Sequence, residues 1–327
     1  MSNFETVPAR WWRKLNNAFH KYLPHIKVLL YHRVTRLASD PLRLSVTPEL
    51  FYQQLAWLKK NYRIISPGDL AESLLHQKRI KEPAILVSFD DGYADNLYEA
   101  LPILESLEIP AIFFITTSQL NTNQLLWWDE LERMILSNET LAPELFFPEN
   151  TLGENALTLP TGNRQRVFSC IHDKLQYSTL PRRTNILNSL RHQITLTPAN
   201  DDSHRLLNYE ELKQLADSRY AGIGGHTQNH ISLGVQENTV QKAEMTENRN
   251  LLETLLNKQI DYLSYPYGSN KDFSNNTLLL AREAGFSLAF ANYYGYTTVK
   301  TDPYKIPRIL VRNWEVPELN REINRWY

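Results

Sequence analysis

The sequence predicts an α/β protein of parallel strands joined by crossover helices, and three observations carry that prediction. Apolar, strand-length runs recur at Val28 to Tyr31, Ile85 to Phe89, Ala111 to Thr116, Ala221 to Gly224, Tyr262 to Tyr265, Phe286 to Ala291 and Ile309 to Val311. Several are continuously apolar rather than alternating, as suits strands covered on both faces. Between them lie helical patterns such as Pro48 to Asn61 and Thr239 to Asn257, the alternation expected of βαβ units. At 327 residues the chain is long enough for a barrel of such units with one insertion.

The residues that break the apolar runs point to a site at the strand ends. Ile85-Leu-Val-Ser-Phe-Asp90-Asp91-Gly92 ends a strand in two adjacent carboxylates, and Asp is depleted from strands and costly to bury without a partner. Neighbouring strand residues face opposite ways, so Asp90 and Asp91 converge only if the chain turns, which Gly92 permits. Alone, this motif reads equally as a strand-end turn with Asp91 capping a helix. A second cluster, Gly222-Ile-Gly-Gly-His226-Thr-Gln-Asn-His230, brings two imidazoles four residues apart after a glycine-rich approach. One acid and two histidines make a three-ligand set with an open position, the pattern of a catalytic zinc site. A third, Tyr262-Leu-Ser-Tyr265-Pro-Tyr267-Gly268, reads as a short strand breaking into an aromatic loop.

Together, Phe-Asp90-Asp91-Gly-Tyr93, His226-Thr-x-x-His230 and Tyr265-Pro-Tyr267-Gly268 resemble the motifs of the polysaccharide deacetylase family, the NodB-homology domain, over Val28 to Val311. The resemblance implies an incomplete, distorted (β/α) barrel of seven parallel strands. It also implies that Asp90 is the catalytic base and that Asp91, His226 and His230 bind one divalent ion, zinc first, with cobalt or nickel also suited to such donors. The expected reaction is removal of N-acetyl groups from an amino-sugar polysaccharide, oligosaccharide or lipid-linked glycan by a water activated at the metal.

Two family features are missing, and the sequence offers replacements. The arginine ahead of the third motif is replaced by Ser264 or Tyr265, so Arg308, at the late strand, is expected to supply the positive charge beside Asp90. No histidine follows His230; His32, at the end of an early strand, is therefore the candidate general acid, as in the circularly permuted branch similar to poly-N-acetylglucosamine deacetylases. Tyr31, Tyr93, Tyr265, Tyr267 and Gly268 are expected to contact substrate, with backbone N–H groups near Tyr267 and Gly268 stabilising the oxyanion. Two other readings fit the motifs: hydrolysis of another C–N bond, in a formyl-sugar or a cyclic amide, and a non-catalytic carbohydrate-binding relative.

The alternation stops between residues 119 and 205, which read as a helical insertion: an amphipathic helix from Trp127, a Pro-, Asn- and Thr-rich stretch, then helical patterns at Arg164 to Leu175 and Pro181 to Ile194. Trp127 and Trp128 are candidates to stack on a sugar ring or to anchor the helix. Residues 1–24 form a basic amphipathic segment, and from Thr6 to Ser39 there is no acid. Aromatic residues interleave with the basic ones, so residues 10–27 could contact an anionic membrane face or dock on the barrel. The domain expected is 25–327. A formal charge of −1 gives no basic footprint for nucleic acid. The single Cys170 excludes an internal disulfide framework. With no h-region of about 7–15 apolar residues and no run of about 20, a cytoplasmic location is expected.

Overall fold

The computed structural model describes residues 24–325 apart from 138–140, 150, 153–154 and 195–201. The N-terminal segment expected to be basic and amphipathic lies outside these but for its last residue. Twelve strands occur among the described residues: β1 Ile26–Tyr31, β2 Arg33–Val34, β3 Ser45–Val46, β4 Arg63–Ile64, β5 Ala84–Phe89, β6 Ala111–Ile115, β7 Glu144–Phe147, β8 Leu157–Pro160, β9 Ala221–Gly225, β10 Tyr262–Ser264, β11 Leu288–Phe290 and β12 Arg308–Leu310. Seven form one parallel path in the order β11-β10-β9-β6-β5-β1-β12, with β4 paired beside β5. A parallel bridge from Phe290 to Ile306 brings the two ends of the path together, so the barrel is nearly closed.

Both β1 and β5 are buried at every position, which explains their unbroken apolar character. Even Lys27 of β1 is buried, its ammonium donating to the Ile323 carbonyl, so it does not belong to a membrane-facing surface. The crossover helices start where their caps dictate. Thr47 accepts from the Leu50 N–H ahead of Pro48–Asn61, and Ser66 and Asp69 form a capping box ahead of Pro67–Leu75.

The glycines of β9 are a packing requirement. A Cβ on Gly225 would stand 2.4 Å from Asn248 Oδ1 and 3.3 Å from two Phe286 ring atoms. Asn248, in the helix Asn238–Leu256, donates to the Ile115 carbonyl at 2.9 Å and the Thr227 carbonyl at 2.8 Å. It thereby ties the end of β6 to the loop after β9.

The insertion departs from the expectation in one respect. Its helices Trp127–Ile135, Arg164–Gln176 and Leu180–Gln193 are joined by an antiparallel pair, β7 with β8, inside the Pro-, Asn- and Thr-rich stretch. Its apolar residues, with Leu131, Phe147, Phe168 and Ile186 among them, form a core of their own, to which Tyr93 of the barrel also belongs.

Substituting Gly225→Ala forces Asn248 out of its bonds, and overpacking of this kind costs about 1–3 kcal/mol. Urea denaturation should show a lower midpoint by that amount with the m-value unchanged.

Candidate active site

The site lies where the chain leaves β5, β9 and β10. A regular strand would send Asp90 and Asp91 to opposite faces. Instead the backbone turns through left-handed conformations at Asp91 (φ 80°) and Gly92 (φ 90°), and both carboxylates line one cavity of about 220 Å3 with His226, His230 and His32. His226 and His230 occupy the loop after β9 rather than a helix, their rings 4.8 Å apart. Thr227 and His230 also have positive φ, 62° and 46°. Buried bonds hold this loop in place: Glu244 accepts from the Asn229 backbone at 2.8 Å, and Arg183 of the insertion donates to the His230 carbonyl at 3.0 Å and the Asn229 carbonyl at 2.6 Å.

Arg308 reaches Asp90 from β12. Its two terminal nitrogens meet the two carboxylate oxygens at 2.7 Å each, its Nε donates to the Ala291 carbonyl at 2.9 Å, and it donates to Ser264 Oγ at 2.7 Å. Ser264 in turn donates to Asp90 Oδ2 at 3.0 Å. The position left without an arginine thus carries a hydroxyl, and the cation arrives from another strand. Burial pushes Asp90 up, but the Arg308 guanidinium, with His226 and His32, outweighs it and holds the carboxyl below its ordinary value of 3.8.

The donors of Asp91, His226 and His230 lie within 4.8 Å of one another. Asp91 Oδ1 is 3.5 Å from His226 Nε2 and 3.3 Å from His230 Nε2, is buried and accepts no hydrogen bond. His226 Nδ1 donates to the Ser264 carbonyl at 2.8 Å, which fixes the tautomer and leaves Nε2 as a lone pair facing Asp91. Burial pushes His230 down to about 4, so its ring is neutral as a ligand must be. Burial also opposes a charged His226, yet Asp90 and Asp91 raise it above the ordinary histidine value; that negative field equally suits a cation. An orphaned carboxylate oxygen facing two imidazole nitrogens therefore fits a divalent ion. A second group, Asp129, Glu132 and His204, fits less well, because Tyr93 donates to Asp129 at 2.7 Å and the Arg33 charge acts on both acids.

Several residues expected to touch substrate do not line this cavity. Tyr31 is fully buried, stacked on Phe89 with its hydroxyl on Gln54 at 3.0 Å. Tyr265 is buried on Phe273 and donates to the Tyr304 carbonyl. Tyr93 is buried beneath the site, accepting from Trp128 Nε1 at 2.8 Å, and acts as an anchor. The Gly268 N–H turns back to the Pro266 carbonyl at 2.6 Å and is not free for an oxyanion. Of the tryptophans, Trp128 lines the cavity with its ring 4.5 Å from that of His230. Trp127 lies behind it, donating to the Tyr267 hydroxyl at 3.2 Å and lining a separate cleft. Tyr267 does line the cavity. So do Leu42, Leu44, His172, Asn292 and Leu310, which no motif marks.

The profile of the polysaccharide deacetylase family matches residues 77–141 and 163–289. YxkH of Bacillus subtilis is 20% identical over 287 residues, 88% of this chain and 71% of that one. The poly-beta-1,6-N-acetyl-D-glucosamine N-deacetylase of Escherichia coli is 31% identical over 105 residues, 31% of this chain and 16% of that one. Among solved structures, IcaB from Ammonifex degensii superposes with a TM-score of 0.60 at 18% identity, covering 93% of this chain and 98% of the other. With more than half its length matched by the profile, and with the barrel and the Asp-Asp and His-x-x-x-His segments in one cavity, this chain belongs to the polysaccharide deacetylase family.

Proposed function

We propose that the protein is a metal-dependent hydrolase that removes N-acetyl groups from an amino-sugar glycan. The observation that carries this reading is the buried, Arg308-paired Asp90 beside the orphaned Asp91 oxygen and two imidazole nitrogens, in one cavity with His32. Asp91, His226 and His230 would hold a divalent ion, which would supply Lewis-acid activation of water and of the acyl carbonyl. Asp90 receives the proton of the attacking water. Arg308 keeps that carboxylate ionised and, by two bonds in a plane, fixes which oxygen lone pair faces the cavity. As the carbonyl carbon becomes tetrahedral, we assign its oxygen to the backbone N–H of Tyr267, a residue that lines the cavity, since the Gly268 N–H is committed to Pro266.

His32 protonates the departing amine when the C–N bond breaks. Its Nδ1 is buried without a hydrogen bond. Burial pushes its pKa down against the pull of Asp91 and Asp90, which makes its protonated form a stronger acid than free imidazolium. The similarity to a poly-beta-1,6-N-acetyl-D-glucosamine N-deacetylase supports an N-acetylated glycan as substrate.

Wild-type protein should hold one divalent ion and release acetate from N-acetylglucosamine oligomers, whereas Asp90→Asn should bind the ion and release none; metal analysis with an acetate assay decides this. No bound ion, or equal release by both proteins, would refute the reading. His32→Ala should slow turnover about 10²–10⁴-fold with metal content retained.

Arg308→Ala removes the charge that holds Asp90 down, so the acidic limb of kcat/KM moves to higher pH. It also leaves a buried carboxylate unpaired, costing about 3–5 kcal/mol. The sign is fixed by the depressed folded-state value: the pair's stabilisation is present above the ordinary carboxyl value of 3.8 and is lost as pH falls through the lower folded one. Denaturant titrations from pH 7 downward should therefore show wild type and variant converging below about pH 4.

A further inference from the structure

The cavity has two walls of different origin. The barrel supplies Asp90, Asp91, His226, His230 and His32; the insertion supplies Trp128 from the helix Trp127–Ile135 and His172 from the helix Arg164–Gln176. His172 plays no part in the chemistry proposed above, yet it is an imidazole presented to the same small space.

Its surroundings prepare it to bind rather than to catalyse. Rings hold its faces: Trp127 at 5.0 Å between centroids and, one helical turn earlier, Phe168 at 5.7 Å. Asp173 Oδ1 stands 3.7 Å from its Nδ1, longer than a hydrogen bond. The side chain retains 14% exposure, and the packed ring lines the cavity. Burial lowers its pKa, and a neutral imidazole carries one donor and one acceptor, the same pair that a sugar hydroxyl carries. Asp173 is the acid that acts on His172, whereas Asp91 and Asp90 act on His32; the two imidazoles share one cavity but answer to different carboxylates. At about 220 Å3 the cavity is smaller than the ~300–1,000 Å3 that drug-sized ligands occupy, so it suits one sugar residue with its acyl amide.

We propose that His172 is a specificity-determining contact, hydrogen-bonding a ring hydroxyl of the sugar whose acyl amide faces Asp90. The inference rests on the hydrolase reading for the identity of the sugar, but its test does not require turnover. Trp127 positions the ring by packing on it, which gives that buried tryptophan a role without contact to substrate.

Binding of N-acetylglucosamine oligomers by the metal-loaded Asp90→Asn protein, followed by titration calorimetry, is compared with the same protein carrying His172→Ala or His172→Gln. Loss of one neutral hydrogen bond should weaken binding about three- to tenfold in the alanine variant, and glutamine, which keeps a donor and an acceptor, should restore most of it. In the otherwise wild-type enzyme the alanine change should raise KM more than it lowers kcat. Equal affinities in the three proteins, an alanine and a glutamine variant equally weak, or no oligomer binding by the parent would each overturn the proposal. A His172-dependent affinity in a chain that releases no acetate would uphold it while removing the hydrolase reading.

Discussion

The Asp90–Arg308 pair is the constraint around which the site is arranged. Asp90 follows β5 and Arg308 begins β12, and β1 lies between these strands in the sheet, so the pair spans three strands inside the barrel. Burying two such ions carries a penalty of several kcal/mol each, offset only when geometry is good and the remaining donors are satisfied. Here both carboxylate oxygens are bridged, and the guanidinium finds further acceptors in the Ala291 carbonyl and Ser264. Ser264 belongs to β10 and its carbonyl orients His226. One side chain thus joins Asp90 to the strand that sets the tautomer of a candidate metal ligand.

The second constraint is backbone conformation. Asp91, Thr227, His230 and Tyr267 all have positive φ, a state that costs of order 1–3 kcal/mol for non-glycine residues and persists only where the surroundings over-determine it. The surroundings can be named: Asn248 and Glu244 hold the histidine loop from the helix behind it, and Arg183 and the Tyr267 hydroxyl bind the His230 carbonyl from the other side. The insertion therefore contributes to the loop as well as to the cavity wall.

What the sequence revealed and what it hid follow from the periodicities of strand and helix. The seven parallel strands were readable because doubly covered strands are continuously apolar, but the same continuity erases the alternation that tells which side chain faces which way. Tyr31 and Tyr265, expected to contact substrate, are core for that reason, whereas the acids can be placed because a charge at a strand end needs a partner. Trp127 and Trp128 are adjacent on a helix, about 100° apart around its axis, and of the two Trp128 lines the cavity with Asp90 and Asp91. The β7–β8 pair escaped because four-residue strands in a Pro- and Asn-rich stretch give little periodic signal. His172 carries no signal at all, being one polar residue on an amphipathic helix whose relation to the barrel depends on tertiary packing.

The two apolar cores meet at the cavity, one behind each of its walls. The barrel core runs beneath the acids and histidines, while the insertion core includes Trp128, Phe168 and, from the barrel side, Tyr93. Tyr93 follows the Asp-Asp-Gly turn by one residue, accepts from Trp128 and donates to Asp129, so the turn that presents Asp91 also anchors the opposing wall. A shift of the insertion would move Trp128 against His230 and drag on the same turn. The residues that the insertion presents to the cavity, His172 among them, keep their distance from the carboxylates through the Tyr93 and Arg183 connections. Those two contacts, rather than the cavity lining itself, hold the insertion's wall in register with the barrel's.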